Sequence, residues 1–194
     1  MEEEYPMAMV RALAKILIIP GLNGSGLEHW QTLGVKERID YLRIEQADWR
    51  NPDRLDWISR IDNAVAGISG PVVFAAHSLG CFAVGAWGAL GRRATDGHFG
   101  ALLVAPCDPK QEGAVEGTRR LGMIARGRLR FPSVLVASSN DPYATFGQGS
   151  RFASEWGSEL IDAGESGHPN AQSGLGSWHW GQNLVERMKA RLGR

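Results

Sequence analysis

Pro71-Val72-Val73-Phe74-Ala75-Ala76-His77-Ser78-Leu79-Gly80-Cys81 is an apolar run that breaks into a tight turn and resumes as a second apolar segment, and it reads as strand, turn and helix. In a small-x-Ser-x-small elbow the serine sits on a strained strand-to-helix turn. Strand and helix come so close there that the positions two before and two after it need tiny side chains. Ala76 and Gly80 fill those places, Ala76 standing where glycine is usual and adding one methyl. Ser78 is therefore a candidate nucleophile. The string alone is common in proteins, and its weight here comes from the strand before it and the apolar helix after it.

A serine hydroxyl is a poor nucleophile at neutral pH, so this reading requires a histidine to take its proton and a carboxylate to orient that histidine. Of the five histidines, His168 lies in a polar, glycine-rich loop, Ala163 to Asn170, just after a predicted last strand. Loops at the C-terminal ends of parallel strands are where an open sheet carries its chemistry. Asp141 holds the equivalent place one strand earlier, after the buried run from Ser133, with Pro142 preventing continuation. The developing oxyanion needs backbone amides aimed at it. Leu79 offers one, and Leu22 or Asn23, in the loop after the first strand, a second. A plain glycine-rich turn is the other reading of that loop. A phosphate cradle is not supported, since neither the G-x-G-x-x-G spacing nor a Lys-Ser/Thr ending is present.

Strand-like runs recur at Lys15 to Pro20, Tyr41 to Gln46, Val72 to Ala76, Gly100 to Ala105, Ser133 to Ser138 and Ser158 to Asp162, separated by helical segments. Leu55, Ile58, Ile61, Val65 and Ile68 form one helical stripe, and Leu184, Val185, Met188 and Leu192 another. Continuous apolar strands alternating with amphipathic helices predict an α/β fold: a six-stranded, all-parallel, doubly wound sheet with helices on both faces.

The 194 residues, 43% of them hydrophobic, suit one domain over 15–194 after an N-terminal extension at 1–14 that includes the solvated Glu2 to Glu4 run. Lys plus Arg and Asp plus Glu are balanced at 21 each, so no net charge points to nucleic acid. No apolar stretch is long enough for a membrane span, and the acidic start is unlike a secretory leader. With two cysteines, Cys81 and Cys107, and no disulfide framework, a cytoplasmic location is expected. Cys81 reads as a small buried residue of the elbow helix. No H-E-x-x-H or clustered His/Cys spacing is present, and no metal or cofactor is expected.

The longest stretch without strand character, Pro106 to Phe131, predicts a minimal lid of one or two short helices over an open serine. It carries Arg119, Arg120, Arg126, Arg128 and Arg130, read either as a solvated face or as an attractor for an anionic substrate. Among the seven tryptophans, Trp30, Trp49, Trp57, Trp178 and Trp180 are candidates for a pocket rim, with core packing the alternative. Trp178 and His179, close after the His168 loop, are candidate substrate-binding residues, together with Tyr143 and His29. For His29 a structural hydrogen bond is the competing reading. His77 is expected to point away from the nucleophile and support the turn.

The chain resembles the small, single-domain α/β-hydrolases of the retinoblastoma-binding serine hydrolase and YdeN-like family, from about Lys15 to its end. The resemblance is carried by Pro20-Gly21 with His29-Trp30-Gln31, Asp48-Trp49 with Pro52 and Trp57, and His77-Ser78-Leu79-Gly80. It continues in Asp141-Pro142-Tyr143, in Gly167-His168 with Asn170-Ala171, and in Ser173-Gly174 with Gly176 and Trp178. It implies a strand order of 2-1-3-4-5-6, a triad of Ser78, Asp141 and His168, and hydrolysis of esters or related acyl compounds. The expected partner is a small-molecule acyl substrate, with a thioesterase or peptidase using the same residues as variants. The rival from another class is a protein-interaction module on the same fold with little turnover, since fold does not dictate function; nothing in the sequence indicates a protein partner.

Overall fold

In the computed structural model, residues 13–90, 98–110, 112, 118–119 and 127–192 are described. The Glu2 to Glu4 run, most of the N-terminal extension, and much of the expected lid, Arg120 and Arg126 included, lie outside them.

Six strands form one sheet: β1 (Lys15–Ile19), β2 (Tyr41–Arg43), β3 (Val72–His77), β4 (Phe99–Val104), β5 (Ser133–Ala137) and β6 (Glu159–Asp162). Every pairing is parallel, as the alternation of strands and helices implied, and their order is β2-β1-β3-β4-β5-β6, as the family resemblance implied. The second strand is shorter than Tyr41 to Gln46, ending at Arg43.

The long helices among the described residues are α1 (Trp30–Glu37), α2 (Arg54–Ala66), α3 (Leu79–Leu90), α4 (Phe146–Trp156) and α5 (His179–Leu192). Strand alternation divides the core in two. Leu17, Ile19, Phe74, Ala76 and Leu103 pack with the buried faces of α2, α3 and α4, while Ile16, Ile18, Val73, Ala75 and Val104 pack with Trp30 of α1 and Leu184, Val185 and Met188 of α5. The central strands β3 and β4 are buried on both faces throughout, which is why they read as unbroken apolar runs.

The stripe expected of α2 needs correction. Leu55 is exposed, Ile68 lies beyond the helix end, and the buried face is Trp57, Ile61 and Val65, spaced at four residues. Trp57 is fully buried and supplies the apolar area that Leu55 does not. Asp53 caps this helix by accepting from the Asp56 amide at 2.9 Å, and α4 opens on a reciprocal capping box between Thr145 and Gln148.

Candidate active site

At the C-terminal end of β3 the chain turns through Ser78 directly into α3. Ser78 has φ +52°, a left-handed conformation that is costly for a residue with a Cβ. Its amide donates to Val104 O at 2.9 Å, which pins the turn to β4. The close approach demanded by the elbow is visible at two glycines. A Cβ on Gly80 would lie 2.3 Å from Ile19 O, and one on Gly21 would lie 2.9 Å from Ser78 Cβ. Neither position has room for a methyl group, whereas Ala76 is accommodated in the fully buried strand.

Asp141 and His168 meet across the ends of β5 and β6. His168 Nδ1 lies 2.8 Å from Asp141 Oδ2, with both side chains nearly buried. The other carboxylate oxygen, Oδ1, accepts from the Tyr143 amide at 2.8 Å, so the carboxylate's orientation is set by its own loop. The His168 loop is held by two groups not singled out in the sequence, Ser138 and Asn140, and by Trp30 in a role other than the pocket rim. Ser138 Oγ accepts from Ser166 N at 3.0 Å, and Asn140 Oδ1 accepts from Gly167 N at 2.7 Å. Trp30 Nε1 donates to Pro169 O at 3.0 Å. The polar run after β5 signals a loop, but not that it would zip to the next one.

Ser78 and His168 line one cavity of about 390 Å³, together with Leu22, His29, Cys107 and Tyr143. Among the described residues His168 makes its side-chain hydrogen bond to Asp141 and none to Ser78. The Ser78 hydroxyl lies within interaction range of the Cys107 thiol, whose pKa burial pushes up to about 12, so the thiol stays protonated. Cys81 is fully buried, its Sγ directed at Val104 O at 3.4 Å.

The two expected amide donors from the first loop separate. Asn23 N donates to Trp49 O at 3.0 Å and is occupied. Leu22 N and Leu79 N donate to no group among the described residues. The backbone just before Leu22 packs against the elbow, since a Gly21 Cβ would stand 3.3 Å from Leu79 N. Leu79 is also the first residue of α3, where free amides and the helix dipole favour negative charge.

Tyr143 belongs to the cavity wall and sets its ring edge-on to His168, with 4.7 Å between centroids. His29 also lines the cavity, and its Nδ1 accepts from Gln31 N at 3.2 Å as the N-cap of α1. His77 does not point away from the site: its ring packs 4.6 Å from both His168 and His29. Residues 73, 75 and 77 share the sheet face that carries α1 and α5, and His168 folds over that face. Burial above all keeps both extra histidines neutral, lowering the pKa of His29 to about 3 and that of His77 well below 6.5, with His168, Arg43 beside His29, and His29 beside His77 adding to the effect.

Trp178 and His179 are not among the residues lining this cavity. Trp178 is buried against Trp30 with ring centroids 5.0 Å apart and lies across Gly181, while His179 is exposed at the start of α5. Trp57 is core, and Trp180 is half-exposed beside Trp178. Among the described residues no His/Cys/Asp/Glu group could hold a metal ion, and no helix is long and apolar enough to cross a membrane.

Comparison with known proteins agrees with this architecture. The family model described as serine hydrolase matches residues 16–187. A YdeN-like hydrolase from Pectobacterium atrosepticum is 29% identical, with 93% of this chain and 92% of that one covered and a TM-score of 0.78. The ydeN gene product of B. subtilis is 18% identical over 92% of this chain and 100% of that one, with a TM-score of 0.74. Est1E from Butyrivibrio proteoclasticus, solved with ferulic acid bound, is 12% identical over 95% of this chain and 91% of that one, with a TM-score of 0.69. The last two share the fold. No match is found among curated proteins.

Proposed function

The chain belongs to the serine hydrolase family, and on that premise we propose that it cleaves a small ester or related acyl compound through an acyl-enzyme intermediate. Ser78 is the nucleophile, His168 the general base and acid, and Asp141 the carboxylate that orients the imidazole. The observation that carries this reading is the 2.8 Å contact of His168 Nδ1 with Asp141, on the cavity that the strained Ser78 also lines.

With Nδ1 engaged by the carboxylate, Nε2 is the nitrogen left to accept the Ser78 proton. A substrate in the cavity brings the hydroxyl towards that nitrogen; hydrogen bonds of this kind commonly tighten only when substrate binds. Attack on the acyl carbonyl puts negative charge on its oxygen, and the open amides of Leu22 and Leu79 receive it. Asp141 stabilises the imidazolium, which then protonates the leaving alcohol. Water, activated in turn by His168, releases the acid. The lowered pKa values of His29 and His77 make both weak proton acceptors, so they do not compete with His168 as the base. A cavity of about 390 Å³ suits a compact acyl group.

Labelling by a fluorophosphonate, which reacts with activated serines, tests this reading. Labelling of the native protein that is lost in both Ser78→Ala and His168→Ala is the expected result. A folded native protein that is not labelled, and that hydrolyses no 4-nitrophenyl ester, would overturn it.

A further inference from the structure

The loop after β1 holds three successive residues at positive φ: Asn23 at +62°, Gly24 at +75° and Ser25 at +47°. Asn and Ser pay for such angles, and a run of this kind persists only where its surroundings over-determine it. The restraint from the inner side is Gln31, which is fully buried. Its Nε2 donates to Ile19 O at 3.1 Å and Ala75 O at 2.8 Å, and its Oε1 accepts from Ser25 Oγ at 2.7 Å.

The restraint from the outer side is a single guanidinium. Arg43, the last residue of β2, donates through Nη2 to Gly24 O and through Nη1 to Ser25 O at 3.5 Å and Thr32 Oγ1 at 3.3 Å. Thr32 Oγ1 itself donates to Ser25 O at 2.8 Å. The guanidinium also lies over the Trp49 ring, 5.4 Å from its centroid. Trp49 in turn covers Gly24, where an added Cβ would come within 2.9 Å of the indole, and accepts the Asn23 amide. The loop carbonyls are thus drawn outward to Arg43 and the Asn23 amide to Trp49, leaving Leu22 N as the unengaged amide of a loop that lines the Ser78 cavity.

We propose that Arg43 is a positioning residue for the oxyanion hole, its forked guanidinium fixing the loop that presents the Leu22 amide to the developing negative oxygen. The proposal rests on the serine hydrolase reading given above. A planar fork that reaches neighbouring carbonyls is a property of arginine that lysine does not share. Arg43 is not among the residues lining the Ser78 cavity, so its effect passes through the loop. Its remaining partner, Glu45, is largely exposed, and an ion pair there contributes little to folding. The loss of Arg43 therefore acts through its bonds to the loop and not through that ion pair, and any accompanying loss of stability is read separately by thermal unfolding.

The test compares Arg43→Met and Arg43→Lys with the native protein, using a 4-nitrophenyl ester and a trifluoromethyl ketone, which binds as a tetrahedral adduct. Displacing an oxyanion donor by a fraction of an ångström should lower kcat by about tenfold to a hundredfold and leave KM within about twofold. The inhibition constant of the trifluoromethyl ketone should rise by the same factor as kcat/KM falls, while that of the matched methyl ketone stays unchanged. A purely structural role would not produce that parallel. Full recovery in Arg43→Lys would mean that charge suffices and would overturn the proposal, as would native kcat in Arg43→Met. Should Arg43→Met not fold by circular dichroism, Arg43→Lys is read alone, and it is expected to remain defective. A native protein without fluorophosphonate labelling or esterase activity defeats the hydrolase reading, and this one with it. An active native protein with indifferent Arg43 variants defeats only this one.

Discussion

Asp141 divides its carboxylate between two loops: Oδ2 meets His168 Nδ1 at 2.8 Å, and Oδ1 accepts the Tyr143 amide at 2.8 Å. Asp141→Asn can keep the second bond and must lose the charge that the first supplies to an imidazolium. The expected outcome is a protein that unfolds within a few degrees of the native one and has kcat lower by about 10⁴-fold, the scale found when such a carboxylate is neutralised. Steady-state kinetics beside thermal unfolding decides it. A loss of less than tenfold would show that His168 is oriented by other means.

Trp30 links the first helix to the residue after His168 through its 3.0 Å bond to Pro169 O, and it packs at a tilt against Trp178. Trp30→Phe keeps an aromatic ring in that contact and removes the donor, leaving a carbonyl without its partner. Such a loss costs about 1–3 kcal/mol. We expect a matching drop in unfolding free energy in urea and a several-fold lower kcat, because the His168 loop loses one of its tethers. An unchanged kcat with lowered stability would confine Trp30 to packing.

What could be read without coordinates was the part encoded locally. That Ser78, Asp141 and His168 sit at one edge follows from apolar runs ending in polar loops, since a parallel sheet collects those loops there, whereas the strand order came from the family resemblance. Contacts between distant segments were not legible. Trp178 is ten residues from His168, yet the turn at Ala171–Ser173 and the left-handed Gly174 and Gly176 carry it under α5 and into the core. Asn23 looked as open as Leu22 until Trp49, folded back from beyond β2, took its amide. The placement of His77 failed because elbow geometry was applied to a residue that still obeys strand alternation. Leu55 shows the same limit: periodicity alone does not say which of two adjacent apolar stripes a helix buries.

The φ of +52° at Ser78 stores strain that catalysis requires and folding does not. Ser78→Ala and Ser78→Gly both abolish the nucleophile, but only glycine relieves the left-handed backbone. The glycine variant should be the more stable of the two by about 1 kcal/mol, the left-handed penalty less the entropy glycine loses on folding. In a chain of this size that is about 2–4 °C in Tm. Equal melting temperatures for the two variants would mean that the elbow carries no net strain.

His29 and His77 make stability depend on pH with a definite sign. Burial, reinforced by the nearby imidazoles, holds His29 at about 3 and His77 well below 6.5, whereas in the unfolded chain both titrate near about 6.5. Between those values the unfolded state binds more protons, so stability is complete above about pH 6.5 and is lost as the pH falls towards 3. Each histidine contributes a slope approaching about 1.4 kcal/mol per pH unit in that window. Above about pH 5 most carboxylates remain ionised, which leaves the histidines to dominate the first part of the fall. His29→Asn isolates one of them, because asparagine can still cap α1 by accepting from the Gln31 amide while carrying no titrating group. Urea unfolding at pH 7.5, 6.5, 5.5 and 5.0, settings in the range about the ordinary imidazole pKa, should give a steeper decline for the native protein than for His29→Asn. The two should diverge only below about pH 6.5. Parallel curves would mean that His29 is protonated in the folded protein at no cost, and that its buried Nε2 finds an acceptor when charged.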